Sequence, residues 1–144
     1  MHTQALKYFA CVMTTEMSFV ELFDALEDYI TDKRERFALT SRVKRGLTDT
    51  GQHGGFYKDK IYLEGAVEYL QTRKNIDVIA MHSSKFSFED LKKPNIYKIL
   101  DKKNITLPPF LKDMDSYMEA LDFIAACNFI PEKQSEEEEK TALV

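Results

Sequence analysis

The distribution of glycine is what most constrains this chain. All five glycines, Gly46, Gly51, Gly54, Gly55 and Gly65, fall within the run RVKRGLTDTGQHGGFYKDKIYLEG, from Arg42 to Gly65. Glycine turns tightly, adopts positive φ and lets another backbone or a ligand approach closely, so its confinement to one stretch marks a built loop there. The spacing matches neither GxGxxG nor GxxxxGK[ST], so a nucleotide-cradling reading is weak, and the loop's glycines read as steric. Basic residues flank it on both sides, with Arg42, Lys44 and Arg45 before and Lys58 and Lys60 after.

Around this loop the periodicity is helical. Leu6, Phe9, Ala10, Met13 and Met17 form one stripe, with Tyr8, Cys11 and Val12 lying off it. A helix apolar on more than one side expects neighbours on more than one side, which points to self-association or a partner at the N-terminal helix. Ser18 with Glu21 has the spacing of a capping box and starts a second helix, with Phe19, Leu22, Phe23, Leu26 and Ile30 on its buried face. Asp32 with Glu35 starts a third, which Gly46 can end in the left-handed conformation. On that helix Arg34, Ala38, Arg42 and Arg45 share a face, either as a solvated basic row compensating the helix C-terminus or as an anion site facing the glycine loop. A fourth helix carries Leu63, Ala66, Val67 and Leu70, with Gly65 as its close-packing point. Lys58 and Lys60 at its entrance oppose the helix dipole unless Asp59 or a bound anion offsets them.

Farther on, residues 76–81 are read as helix, Ser87 with Asp90 caps a short helix that Pro94 stops, and Asn95 to Asp101 adds a turn or two. Leu107 to Phe110 is extended, because proline excludes its predecessor from α geometry. Asp113 or Asp115 then caps a last helix with Met114, Tyr117, Met118, Leu121 and Ala125 on its core stripe. The reading is therefore all-α, with a helical domain over 1–131 and an acidic disordered tail over 132–144.

Composition narrows the function classes. A chain of 144 residues, 44% hydrophobic, buries one modest core. A net charge of −4 argues against general nucleic-acid binding, which needs a cationic surface to displace phosphate counterions. No apolar run approaches the roughly 20 residues that span a bilayer, and the N-terminus lacks a basic, signal-like lead. The expected compartment is the cytoplasm, with Cys11 and Cys127 as buried free thiols. His2, His53 and His82 are each followed by a residue other than Glu, so there is no HExxH, and no Cys/His cluster has zinc spacing. His53, in the glycine loop, is the one histidine placed to act, with an exposed loop histidine as the plainer reading. No nucleophile elbow or acid–base carboxylate pair can be assigned.

The run Arg42 to Gly65, with MSFVELFDALEDYI (Met17 to Ile30) and LPPFLKDMDSY (Leu107 to Tyr117), resembles the C-terminal part of the microtubule-associated tyrosine carboxypeptidase family. The resemblance covers nearly the whole chain to Ile130. It implies the helical C-terminal part of a zinc metallopeptidase catalytic domain, acting on the C-terminal tyrosine of α-tubulin and associated with microtubules. The family's HExxH helix and downstream glutamate ligand belong before the matched region. This chain is therefore expected to hold no metal and to lack catalytic residues of its own. A carboxypeptidase needs cations to hold the terminal carboxylate of its substrate, and the candidates are Arg42, Lys44, Arg45 and Lys58. The alternative is a non-catalytic module that recognises acidic C-terminal tails.

Overall fold

The computed structural model describes residues 1–83, 86–91, 93–100 and 104–133. Among them every regular element is helical. The chain separates into two compact units, Met1–Val67 and Glu68–Val144, where composition suggested a single core.

In the first unit, α1 (His2–Met13) is followed by α2 (Phe19–Ala25), whose last turn tightens into a 3-10 helix at Leu26–Asp28. The capping box is formed in full: the Ser18 hydroxyl accepts from the Glu21 amide, and the Glu21 carboxylate accepts from the Ser18 amide at 2.8 Å. Next comes α3 (Lys33–Lys44), capped by Asp32, whose carboxylate accepts from the Arg34 and Glu35 amides. Gly46 follows it at φ +88, the left-handed geometry expected of a residue that ends a helix. A 3-10 turn at Tyr57–Asp59 leads into α4 (Lys60–Thr72), within which the boundary between the units falls.

The core of this unit is Ala10, Cys11, Leu22, Leu26 and Val43, all fully buried, with Phe9, Met13, Met17 and Leu39 packed against them. One expectation about α1 is corrected here and one, the burial of Cys11, is met. Its helix ends at Met13, so Met17 reaches the core from the following turn, and Cys11 faces inward because the glycine loop covers it. The Cys11 thiol donates to the Phe56 carbonyl at 3.7 Å. Of the residues placed off the stripe, Val12 is the exposed one.

The second unit holds α5 (Val78–Ser83), α6 (Phe88–Leu91), α7 (Pro94–Ile99), a 3-10 turn at Pro109–Leu111 and α8 (Met114–Cys127). Residues 76–81 are thus helical from Val78, and Pro94 opens α7 where it was expected only to stop α6. Pro108 is extended, but Pro109 already begins a turn, because its fixed φ also suits the first position of a helix. Asp113 is the cap of α8, accepting from the Ser116 amide at 3.0 Å. Leu70, Leu121 and Ala125 form a small core with Tyr69, Tyr117, Met118 and Ile130 around it. Arg73 ties the unit together, donating to Asp122 and to the Leu70 carbonyl, both at 2.6 Å. Glu132 and Lys133, assigned to the tail, are bound instead: Glu132 pairs with Lys74 at 2.8 Å and the Lys133 amide donates to Gln71 at 2.9 Å. Residues 134–144 and Asp101 lie outside the described residues. Cys127, expected to be buried, is exposed at the end of α8.

Candidate functional site

The glycine loop is pinned to three helix ends by backbone contacts. The Gly54 amide donates to Thr14 at 2.6 Å, the Phe56 amide to Val43 at 2.7 Å, and the Phe19 amide to Thr50 at 2.9 Å. Gly55 makes this approach possible. A Cβ there would stand 2.4 Å from the Val43 carbonyl oxygen and 2.5 Å from the Thr14 hydroxyl. Gly54, at φ +102, supplies the reversal just before it. Gly65 does not have the close-packing role expected of it, since a Cβ there would meet nothing within 4 Å.

Lys44 is also structural. Only 1% exposed, it directs its ammonium to the carbonyls of Met17, Gln52 and Gly54, the last two at 2.9 and 3.0 Å. Three donors meet three acceptors, so the side chain closes the loop over the end of α3 and has no donor left for a ligand. Burial pushes its pKa down, opposed by the Glu21 charge.

The other cations gather on one buried carboxylate. Asp59, 2% exposed, accepts from Nε and Nη2 of Arg42, the second bond at 3.0 Å, and lies 3.6 Å from Nη1 of Arg45. Arg45 also donates to the Arg42 carbonyl at 2.5 Å and stacks its guanidinium over Phe56, 3.8 Å from the ring centre. The bond from Arg42 holds the Asp59 carboxyl below its ordinary range, and the same bond raises Arg42. Cys11 is raised first by burial and then by the Asp59 charge. The offset imagined between Asp59 and the lysines at the entrance of α4 thus goes to the arginines. Lys58 is exposed and without an ion pair among the described residues, and Lys60 faces Glu64 at 3.9 Å. His53 is an exposed loop residue.

Arg42 also borders an open cleft of about 820 Å³ in this unit, lined by Leu6, Ile30, Ala38 and Leu39 together with Lys7, Asp32 and Glu35. Sequence reasoning missed Asp59 as a site residue. The i, i+3 spacing of Arg42 and Arg45 was the available signal, because a carboxylate between two guanidinium groups is held in its charged form by both.

Fold and site define an all-α chain carrying an arginine pair anchored on a buried carboxylate beside a glycine-built corner. Residues 7–129 match the model of the family described as microtubule-associated tyrosine carboxypeptidase, and the chain belongs to that family. It is 37% identical over 131 residues to microtubule-associated tyrosine carboxypeptidase 1 of Rattus norvegicus, a match covering 90% of this chain and 28% of that protein. The Mus musculus protein of the same name matches to the same extent. The Homo sapiens protein is 37% identical over 131 residues, covering 90% of this chain and 27% of its own length. The chain therefore spans just over a quarter of the length of the curated relatives it matches.

Proposed function

We propose that this chain supplies the substrate side of a tyrosine carboxypeptidase, holding the carboxylate at the end of an acidic chain such as the tubulin tail. The observation that carries this reading is the arginine pair. Two guanidinium charges share one buried carboxylate, which leaves one positive charge at the surface, and Arg42 lines an open cleft beside it. Such a charge is matched by a carboxylate, which guanidinium groups bind through directed, charge-assisted hydrogen bonds. Lys58 adds an exposed cation near the same turn.

The family resemblance also implies zinc. Among the described residues no three His, Cys, Asp or Glu side chains are grouped to hold a metal ion. The described residues offer zinc no ligand set, and the proposed role is recognition, with the metal and the general base supplied by other parts of a longer protein. Tubulin or microtubules in the cytoplasm are the proposed partners. No helix among the described residues is long and apolar enough to cross a membrane.

The test is a titration of the 144-residue chain with an acidic peptide ending in tyrosine, as the free acid and as the C-terminal amide. The free acid should bind more tightly. Arg45→Ala and Lys58→Ala should each weaken it, by up to about 1.5 kcal/mol given their solvent exposure. Arg42→Ala is a poorer probe, because it strips Asp59 of its closest partner. The chain alone should release no tyrosine from the peptide. Equal binding of acid and amide would overturn the proposed recognition, and tyrosine release would overturn the division of labour.

A further inference from the structure

We propose that Asp59 is a positioning residue: it holds Arg42 and Arg45 together as one clamp for a single terminal carboxylate. This deepens the carboxylate recognition proposed above and rests on it. Arg42 presents its Nε and Nη2 edge to Asp59, and Arg45 approaches the same carboxylate oxygen with Nη1 at 3.6 Å. Two guanidinium groups drawn to one oxygen would repel each other without the charge between them. Phe56 fixes the plane of Arg45 from the other side, 3.8 Å from its ring centre.

The donors left over define what can bind. Among the described residues, Nη1 of Arg42 and Nε and Nη2 of Arg45 have no hydrogen-bond partner. Both side chains are about half exposed, at 47% and 39%, while Asp59 is sealed at 2%. A ligand that displaced Asp59 would strand a buried charge, so the incoming anion takes the outer edge and leaves the inner bonds intact. The surplus of one positive charge matches a monoanionic carboxylate better than a phosphate dianion.

The experiment measures binding of the free-acid and amidated tyrosine peptides to the wild-type chain and to Asp59→Asn, with the arginine Nε–H signals followed by NMR. In the wild type the Arg42 Nε–H, held by Asp59, should stay protected at saturation while the Arg45 Nε–H shifts. In Asp59→Asn the preference for the free acid should fall about tenfold, the loss of one charge-assisted contact, and both Nε–H signals should exchange rapidly. Tighter free-acid binding by Asp59→Asn would mean that Asp59 competes with the ligand, and an unchanged preference would make it a structural filler. Either result overturns the proposal and leaves carboxylate recognition standing. No preference in the wild type removes both. Should Asp59→Asn not fold, the wild-type spectra still decide, because loss of Arg42 Nε–H protection on peptide binding shows Asp59 being displaced.

Discussion

The Met1–Val67 unit seals Ala10, Cys11, Leu22, Leu26 and Val43 completely, and with them the charged heads of Lys44 and Asp59. The Glu68–Val144 unit closes its core cluster less fully, leaving Leu70 and Leu121 at 5% and 7% exposure. Its polar contacts lie nearer the edge: Asp122, the partner of Arg73, is 49% exposed. Tyr69 and Tyr117 share a hydroxyl bond at 2.9 Å, and burial, then that bond, pushes the Tyr69 pKa up. A sealed charge fixes geometry, because moving it strands it without water, whereas an edge pair can loosen at little cost. Beside the candidate site, therefore, Lys44 and Asp59 are the polar groups that cannot rearrange freely.

The largest expected effect comes from removing the close approach on which the loop depends. Gly55→Ala sets a methyl group against the Val43 carbonyl, a backbone atom that cannot swing aside, and should destabilise the first unit by about 3 kcal/mol. Hydrogen exchange at the Gly54 and Phe56 amides reports the loss directly, since both bonds cross this contact. Full retention of their protection would show the loop to be held by Lys44 and not by glycine. Next in size is a matched pair of core truncations. Leu22→Ala, at a site with no exposure, should cost about 2.8 kcal/mol, and Leu121→Ala, in the looser core, about 2 kcal/mol. Denaturation followed by exchange in each unit separates the two, and an equal or reversed order would break the contrast between the units.

What could be read in advance follows the range of the physics involved. The helices start where a side chain three residues away can cap them, so Ser18 with Glu21, Asp32 with Glu35 and Asp113 with Ser116 were visible in the sequence or nearly so. The all-α class, and Gly46 as a helix stop, rest on the same local rules. The misplaced residues depend on contacts distant in sequence. Lys44 looked like one more surface cation because its carbonyl partners at Met17, Gln52 and Gly54 belong to two other segments. Cys11 was read as buried, but what buries it was not legible, because its cover, Phe56, lies 45 residues away. Asp59 was read as a helix-dipole residue, its pairing with Arg42 being set by how the loop folds back. Of this cluster, the row of cations was visible in the sequence and its pairing with Asp59 was not.

Gly65 gives the smallest effect and the opposite sign to Gly55. It sits in the interior of α4, and a Cβ there would meet nothing within 4 Å. Glycine inside a helix loses backbone freedom on folding that alanine never had, so Gly65→Ala should stabilise the chain by about 0.5 to 1 kcal/mol. A rise in the denaturation midpoint with an unchanged slope would confirm that only the unfolded chain has been restrained. A destabilised Gly65→Ala would show that something presses on this face of α4 in solution. That would restore the close-packing role inferred from the sequence and place a contact surface two residues before the point where the two units divide.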